Sequence, residues 1–455
     1  MTINKEIKLA QTIVRELARD EVYLPEEIKP ELIIDVANLN PISIQELLDI
    51  LELTIKSDRE NKITTFLCEL SAYTEDAQFN ISYNAPSSSG KSFIPTELAR
   101  LFPEEDVLEI GYCSPTAFFH DVGEPDKNKK GKIIVDLSRK ILIFLDQPHT
   151  QLLERLRPLL SHDKKEISIK ITDKNQKQGL RTKNVILRGF PAVIFCTAGL
   201  QISEQEGTRF LLLSPELNQD KIRQSISELI KKEADNDNYR EWLKNSPQRQ
   251  LLKDRLLAIK QANIKEVKIT SSDKEEIERR FFDKNKILKP RHQRDIKRLI
   301  SIIKSFTLLN LWWRQKDGST ITANNNDIED AFKIWDKISI SQELSLPPYI
   351  YSLYQEVIVP LWQEKNGERS EEFKDINGLF GLTRQEILQK HFETYGRMLD
   401  TNQLRQQILP MLETVGLINQ EEDPGNRRQK LVYPTTPVHY VKDGKLNSEN
   451  GCRVE

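Results

Sequence analysis

A run of small residues ending in Gly-Lys-Ser is the part of this sequence best suited to chemistry. The run follows the strand-like segment FNISYN and opens the helix-like segment KSFIPTELARLF. Small residues let the backbone curl so that its N–H groups face a phosphate, and the start of a helix adds a positive dipole end. This pattern predicts a phosphate-binding loop that takes ATP. The residues of the predicted loop are Ala85, Pro86, Ser87, Ser88, Ser89, Gly90, Lys91 and Ser92.

Two side chains of this loop have predicted roles. We expect Lys91 to reach the β- and γ-phosphates and Ser92 to ligate Mg²⁺. Ala85 stands where such loops usually begin with glycine, which is a modest departure. The alternative is a serine-rich loop that contains Gly-Lys-Ser by chance. The strand before the loop and the helix after it argue against that alternative.

Polar residues end two further strand-like runs. Asp146 follows ILIFL and is expected to hold Mg²⁺ through its water shell, while Thr197 ends AVIFCT. In sheets of this kind the carboxyl ends of the strands face the nucleotide, so Thr197 could bond the γ-phosphate or the attacking water. An ordinary strand-capping threonine is the alternative. Gln147 stands where many ATPases carry a glutamate. It can orient a water but cannot accept a proton, which predicts either slow hydrolysis or assistance by another group.

Two arginines have positions from which they could reach phosphates. Arg209 precedes the strand-like run LLLS, and an arginine there often points to the ATP of a neighbouring subunit, acting in trans. A surface arginine paired with Glu206 is the alternative. Arg294, with Arg291 as the second choice, lies at the start of a long helix and could reach back to the γ-phosphate. The alternative for this pair is a solvated, basic helix start.

A predicted hairpin separates the strands that end in Asp146 and Thr197. Residues 166–173 and 181–188 both alternate apolar and polar side chains, and the segment between them is rich in Lys, Gln and Gly. A basic tip with Lys174 and Lys177 suits contacts with a DNA backbone. A solvated hairpin with charged flanks is the alternative.

The order of the segments predicts an α/β fold. Strand-like runs (FNISYNA, VLEIGYC, KIIVDL, ILIFLD, AVIFCTA and RFLLL) alternate with helical ones, which favours a mostly parallel sheet flanked by helices. The predicted domains are a helical N-terminal segment (1–60) with no evident chemistry, an ATPase core with the inserted hairpin (61–215), a helical lid (216–340), a winged helix (346–436) and a polar tail (437–455). In the winged helix, the turn of the hairpin is predicted at Asp423-Pro424-Gly425.

Composition limits the class of protein. The chain of 455 residues has a formal net charge of −2, which excludes a chain-wide cationic coat for nucleic acid but not local basic patches. No apolar run is long enough to cross a bilayer, so we expect no membrane association. The four cysteines form no Cys-x-x-Cys pair, and no export signal is evident. A cytoplasmic protein with free thiols is the expectation.

Taken in order, these segments resemble an AAA+ ATPase of the helicase-type branch. The matching runs are APSSSGKS, ILIFLDQ, the basic hairpin, VIFCT, EGTRF and RHQRDIKRLI, over about Thr64 to Pro434. That branch includes the minichromosome-maintenance replicative helicases and related helicases of phages, plasmids and other mobile elements. The segment LLERLRPLLSHD is similar to the one after the metal-binding strand in the mobile-element helicases, and RDIKRLISIIKSF to their lid helix.

The resemblance implies a ring-forming, ATP-driven DNA translocase or helicase that acts as the replicative motor of a mobile element. It implies a homo-oligomer, expected to be a hexamer, with single-stranded DNA in a central pore and a loader or primase as a partner. The sequence departs from the family at Gln147 and in its short N-terminal segment. Two other functions stay open: an ATP-dependent DNA-binding switch or loader with slow hydrolysis and no unwinding, and a nucleotide-sensing signalling module.

Overall fold

The computed structural model describes residue 36 and residues 39–111, 114, 124–125, 132–173, 181–199, 209–367 and 380–435. Side chains are described for these residues except 124–125, 171–173 and 181–183. The chain divides into two compact units, Met1–Leu39 and Asn40–Glu455. The predicted tail (437–455) and the tip residues Lys174 and Lys177 lie outside the described residues.

A parallel sheet forms the centre of the fold, which confirms the mixed α/β class. Its spatial order is β2-β5-β8-β1-β9, and every neighbouring pair is parallel. The three middle strands are buried along their whole length, as expected for a sheet covered on both faces. The strands are β1 (Asn80–Asn84), β2 (Val107–Ile110), β5 (Ile141–Phe144), β8 (Ala192–Thr197) and β9 (Leu211–Leu213).

The strand order creates a switch point beside β1. From β1 the chain crosses to β2 at one edge of the sheet, and from β8 it crosses in the opposite direction to β9 at the other edge. Strands β1 and β8 are parallel neighbours, and the connections that follow their carboxyl ends run in opposite directions across the sheet. In open α/β sheets, ligands bind in the crevice at such a point. A ligand is therefore expected to bind near the residues that follow Asn84 and Thr197.

The run KIIVDL was predicted for the central sheet, and this prediction is wrong. It forms β4 of a second sheet with the order β3-β4-β7-β6. Only Leu137 to Lys140 separate β4 from β5, and parallel neighbours need a crossover of a dozen or more residues. The chain therefore turns directly from one sheet into the other. The second sheet comprises β3 (Glu124–Pro125), β4 (Lys132–Asp136), β6 (Glu166–Asp173) and β7 (Arg181–Arg188).

The predicted hairpin is present in this second sheet. Strands β6 and β7 pair antiparallel from Glu166 opposite Arg188 to Asp173 opposite Arg181. Val185 and Leu187 are buried and pack in a cluster with Leu152 and Leu156, which fixes the base of the hairpin against the core. The flanks of the hairpin are thus confirmed.

The N-terminal helices, the lid helices and a three-stranded sheet of the lid pack with the central sheet in one hydrophobic core. Ser43 caps the first helix, because its hydroxyl accepts from Glu46 N at 3.2 Å while the Glu46 carboxylate accepts from Ser43 N at 2.8 Å. Side chains of the first two helices lie in the same hydrophobic cluster as the sheet and the lid. The helices before the lid are α1 (Ile44–Glu52), α2 (Arg59–Ser71), α3 (Phe93–Ala99) and α4 (Thr150–Leu160).

The predicted lid segment is helical, as its apolar periodicity indicated. Helix α9 lies centrally, with Leu299, Ile302 and Ile303 fully buried. The lid elements are α5 (Gln219–Ala234), α6 (Asn236–Lys244), α7 (Pro247–Ala262), β10 (Glu266–Lys268), α8 (Ser271–Lys284), α9 (His292–Leu309), β11 (Gln315–Asp317), β12 (Thr320–Thr322) and α10 (Asn325–Glu343).

A C-terminal unit with its own hydrophobic cluster follows the lid. Among its described residues, three helical segments precede a hairpin, and Leu382 adds a single antiparallel bridge to Val432. Strand β13 ends at Asp423 and β14 begins at Asn426, so the turn lies where the sequence predicted it. The elements are α11 (Pro348–Leu353), α12 (Val359–Asn366), α13 (Arg384–Tyr395), α14 (Thr401–Gln403), α15 (Leu409–Thr414), β13 (Ile418–Asp423) and β14 (Asn426–Pro434).

Two helices of this unit continue through a proline by widening. A π-helical segment, Tyr354–Ile358, joins α11 to α12 just before Pro360, and a second one, Leu404–Ile408, precedes Pro410. A proline inside an α-helix removes an N–H and collides with the carbonyl four residues earlier. The wider turn accommodates that carbonyl, so the helix continues where a break would be expected.

No helix in the described residues has both the length and the apolar character that a membrane span requires.

Candidate functional site

The loop after β1 has the conformation that an anion-binding turn needs. Ser88 and Gly90 adopt positive φ angles of 62° and 87°. A Cβ at Gly90 would meet nothing within 4 Å, so the left-handed backbone rather than crowding explains the glycine. The helical hydrogen bonds begin at once, with Phe93 N and Ile94 N both donating to Gly90 O. The amides just before them lack acceptors within the helix and are suited to an anion.

A buried, unpaired hydroxyl supports a polar occupant of this loop. Ser89 is 7% exposed, and its Oγ has no hydrogen-bond partner among the described residues. A buried polar group without a partner costs about 1–3 kcal/mol. A phosphate oxygen in the loop would provide the missing partner. The Lys91 side chain lies over the same turn, and its Nζ donates to Pro86 O at 3.5 Å.

The register of the sheet brings the predicted metal-binding and sensor residues to the loop. Asn84 is paired with Thr197 across β1 and β8, and Ala85 N donates to Thr197 O at 3.3 Å. Across β5 and β8, Phe144 is paired with Phe195, so Asp146 and Thr197 each lie two residues beyond that pair. The ends of three adjacent strands therefore meet at one edge, as the sequence predicted.

The surroundings of the buried Cys196 thiol also indicate that the loop and the end of β5 lie close together. The thiol donates to Lys91 O at 3.4 Å. Burial raises the pKa of Cys196 to about 12, a hydrogen bond with Ser92 and the Lys91 charge oppose that rise, and the Asp146 carboxylate adds to it. One buried thiol thus lies close to Lys91, Ser92 and Asp146 together. It also stays protonated, so it is unsuited to nucleophilic chemistry.

Gln147 is held at the site by hydrogen bonds. The Thr197 hydroxyl donates to Gln147 Oε1 at 3.2 Å and accepts from Gly199 N at 3.0 Å. Gln147 N donates to Asp146 Oδ1 at 2.8 Å. Asp146 and Gln147 are exposed whereas Thr197 is buried, so the two exposed side chains are available to a ligand. The Thr197 hydroxyl thus links the Gln147 side chain to the backbone at Gly199.

The donor set fits magnesium bound together with a phosphate ligand. Magnesium usually takes one or two carboxylates and completes its shell with waters and substrate phosphates. Asp146 and Ser92 supply one carboxylate and one hydroxyl beside the loop. Among the described residues, no group of three or more His, Cys, Asp and Glu side chains could hold a metal alone. The chemistry therefore suits a metal that arrives with a nucleotide.

A cavity of about 490 Å³ opens beside the loop. The loop residues Ser88, Ser89 and Gly90 and helix α3 form one side of it, and apolar side chains of the α5 region form the other. The volume is in the range of small-ligand sites, which are mostly apolar with a few polar groups. Its apolar lining includes Ile55, Phe93, Ile94, Leu217, Ile222 and Ile226.

The segment before α2 belongs to this cavity, which the sequence did not reveal. Residues 1–60 were predicted to carry no chemistry, yet Thr54, Lys56 and Asp58 line the cavity. Asp58 is fully buried, pairs with Lys221 and accepts from Glu216 N at 2.8 Å. This buried pair ties the start of α2 to the start of α5. The cavity wall is therefore fixed by an ion pair between distant parts of the sequence.

Asn84 is a second functional residue that sequence reasoning missed. It is fully buried at the end of β1, and its Nδ2 donates to Gly199 O at 3.2 Å. Ser82 Oγ donates to Asn84 Oδ1 at 2.8 Å, which orients the amide. Asn84 therefore holds the backbone after Thr197 against the loop. The sequence does contain a signal for this role, because Asn84 is a polar residue at the end of an otherwise strand-like run, directly before the loop.

Arg209 lies at the other end of the sheet. Its Nε donates to Ser161 Oγ at 2.8 Å. The neighbouring Leu160 O accepts from Asn80 Nδ2 at 3.0 Å, and Asn80 begins β1. Because β1 rises about 3.3 Å per residue, Arg209 is roughly 15 Å from the loop of its own chain. The structure does not bring Arg209 together with Lys91, and a role in trans stays a prediction.

Arg294 occupies the first turn of α9 and is exposed. Within that turn, Asp295 is buried and forms ion pairs with Arg291 at 2.9 Å and with Arg298 at 2.9 Å. Arg291 also donates to Ser345 Oγ at 2.8 Å. These contacts hold Arg291 in place. The action of Arg294 on the γ-phosphate stays a prediction.

The comparisons with known proteins add little to this geometry. No protein-family model matches the sequence, and no curated protein matches it. Among solved structures, the chain is similar to one described as a "putative ATPase" from Cytophaga hutchinsonii ATCC 33406. The two are 12% identical with a TM-score of 0.32, over 63% of this chain and 83% of the other. The arrangement described above fits a P-loop ATPase fold on its own geometry.

Proposed function

We propose that this protein is a magnesium-dependent ATPase with its active site between the β1 loop and the ends of β5 and β8. One observation carries the proposal: Lys91, Ser92, Asp146, Gln147 and Thr197 meet at the carboxyl edge of the sheet. Lys91 would neutralise phosphate charge, and Ser92 with Asp146 would hold the metal. Bound magnesium would supply further charge neutralisation of the phosphates.

The cavity beside the loop is the proposed site of the nucleoside. Its position next to Ser88–Gly90 allows one ligand to place phosphates in the loop and its base among Ile55, Leu217 and Ile222. Apolar side chains suit the faces of a purine ring. Gln147 would orient the attacking water, because its amide is fixed by Thr197 and it cannot remove a proton.

Metal dependence tests this proposal directly. We expect wild type to bind ATP more tightly with Mg²⁺ than with a chelator, because the metal links Asp146 to the phosphates. Asp146→Asn should abolish that difference and reduce turnover by about 100-fold, as the loss of one charge-stabilising group does elsewhere. Titration calorimetry and phosphate release measure the two effects. Asp163→Asn, an exposed carboxylate after α4, is the matched control and should behave as wild type. Equal affinity with and without Mg²⁺ in wild type would contradict the proposal.

We further propose that ATP turnover drives translocation along DNA. Two observations favour it: the long β6–β7 hairpin is inserted in the chain between Asp146 and Thr197, and Arg209 is far from its own loop. An arginine at that edge could serve the ATP of a second copy in a ring. The C-terminal unit would be a winged helix, with Arg427, Arg428 and Lys430 on its hairpin available to phosphates.

Variants of the hairpin tip can distinguish a DNA motor, a DNA-binding switch or loader, and a signalling module. We expect Lys174→Glu with Lys177→Glu to weaken binding of single-stranded DNA and to flatten its salt dependence, since two phosphate contacts would be lost. Lys286→Glu with Lys333→Glu makes the same charge change on the lid and is the control. Strand displacement by wild type supports the motor. ATP-dependent coating of DNA without displacement supports the switch or loader, and unchanged affinity of the tip variant supports a signalling module.

A further inference from the structure

An arginine of the C-terminal unit contacts the predicted phosphate loop. Arg397 Nη1 donates to the carbonyl oxygen of Ser87, which joins residues 310 positions apart. Arg397 follows Gly396, where α13 ends in a left-handed turn with φ 66°. Gly396 N donates to Phe392 O at 2.7 Å, so the turn is closed in the manner of a helix C-terminus. The guanidinium is thus projected from a defined turn.

A buried histidine fixes this turn. His391 Nδ1 is 3.0 Å from Arg397 O, and His391 Nε2 is 3.0 Å from the Tyr349 hydroxyl. A carbonyl only accepts, so Nδ1 carries the proton, Nε2 accepts and the tyrosine donates. Burial lowers the pKa of His391, and the Arg397 charge lowers it further against the backbone hydrogen bond. The imidazole is therefore neutral at pH 7 and holds one orientation.

The same network returns to the strand that carries the loop. Tyr349 N donates to Ser214 Oγ at 3.0 Å, and Ser214 Oγ donates to Asn84 O at 2.7 Å. Asn84 and Ser87 lie on either side of Ala85 and Pro86, so both ends of this short stretch are tied to the C-terminal unit. A movement of the C-terminal unit would therefore displace the loop.

Helix α13 also meets the helix that lines the cavity. A Cβ built at Gly396 would lie 3.2 Å from Gln219 Nε2, at the first residue of α5. Arg397, which contacts the loop, thus follows a turn that lies against the first residue of α5. Its guanidinium carries five N–H donors in a planar fork that matches phosphate geometry. It adds a permanent positive charge beside the loop that holds Lys91.

We propose that Arg397 is a second cationic contact for the phosphates of the nucleotide, supplied by the C-terminal unit of the same chain. The inference rests on the proposed ATP site and names a residue beyond it. Binding and docking are then linked: if Arg397 strengthens phosphate binding, phosphate binding strengthens docking of the C-terminal unit by the same factor. The position of that unit becomes dependent on the nucleotide in the loop.

The test compares ligands that differ only in their number of phosphates. Affinities for ATP, ADP and AMP are measured by competition against a fluorescent ATP analogue on full-length wild type, Arg397→Ala, Arg397→Gln and Arg397→Lys. We expect Arg397→Ala and Arg397→Gln to lose about tenfold or more in ATP affinity, as for a hydrogen bond to a charged group, and less for AMP. Arg397→Lys should recover part of the loss because it keeps the charge. The glutamine variant keeps a donor for Ser87, so it tests the charge even if the alanine variant is unstable.

Arg405→Ala is the matched control, because Arg405 is an exposed arginine of the same unit whose guanidinium donates to Asn402 Oδ1 at 3.5 Å. It should bind all three nucleotides as wild type does.

Hydrogen exchange at residues 391–399 is the second readout: ATP should increase protection in wild type and not in Arg397→Gln. Equal losses for ATP and AMP would overturn the proposal by leaving Arg397 a purely structural contact, as would no loss at all. If wild type and Lys91→Ala both fail to bind ATP, the proposed ATP site itself falls, and this inference with it.

Discussion

Lys91→Ala is expected to reduce ATP turnover by about 100-fold or more, the effect of removing one preorganised charge from a transition state. Lys91 is the cation that the loop itself provides, and its Nζ is directed along the turn toward Pro86 O. The developing charge on the transferred phosphoryl group would lose its nearest protein cation. Phosphate release under saturating ATP and Mg²⁺ measures the change.

The fold should survive this substitution. Lys91 is only partly buried, and the contact that anchors its residue to β8 is made by its backbone oxygen with the Cys196 thiol. Removing the amine leaves that bond in place, so thermal unfolding should shift by no more than a surface substitution does. Lys333→Ala is the control, an exposed lysine of α10 whose ion pair with Asp330 lies on the surface. Turnover in Lys91→Ala equal to that of wild type would refute the active-site assignment.

The loop and its strand partners could be predicted because their signals are local. Gly90, Lys91 and Ser92 are adjacent in sequence, and Asp146 and Thr197 each follow a short apolar run. Parallel strands bring their carboxyl ends to one edge, so the convergence follows from the strand assignment alone. The cap at Ser43 is a local feature of the same kind, because a capping box spans only four residues.

The parts that the sequence did not predict depend on distant contacts. The Asp58–Lys221 ion pair and the bond from Arg397 to Ser87 each join residues far apart along the chain, and nothing near either residue indicates the partner. The placement of KIIVDL failed for another reason. Its apolar pattern is that of a strand, but only four residues separate β4 from β5, which is too few for a crossover between parallel neighbours.

Each of two C-terminal helices contains a proline. Proline normally interrupts the helical hydrogen bonds, so Pro360 and Pro410 locally disfavour a continuous helix. The structure continues both helices through a π-helical turn. Leu353, Ile358, Leu404 and Ile408 are completely buried in the unit's core, so packing stabilises the continuous helix against the local preference.

Gln147→Glu is expected to raise ATP turnover by about 10- to 100-fold, below the full 10²–10⁴-fold range of general-base catalysis because the new group has not been optimised. Glutamate has nearly the size of glutamine, and its carboxylate can accept the hydrogen bond that the Thr197 hydroxyl now donates at 3.2 Å. The side chain would therefore keep its place and gain the ability to take a proton from the attacking water. Steady-state phosphate release at several pH values measures the effect.

The pH profile separates a new base from a change in binding. In Gln147→Glu, turnover should fall as pH drops through the pKa of the new carboxyl group, because the protonated form cannot accept a proton, whereas wild type should lack that limb. Gln147→Ala is the matched variant: it removes the orienting amide and should turn over more slowly than wild type. Thr197→Val in the glutamate background should reverse part of the gain by releasing the carboxylate. If Gln147→Glu is no faster than wild type at any pH, water is not activated at this position, and a different side chain must orient it.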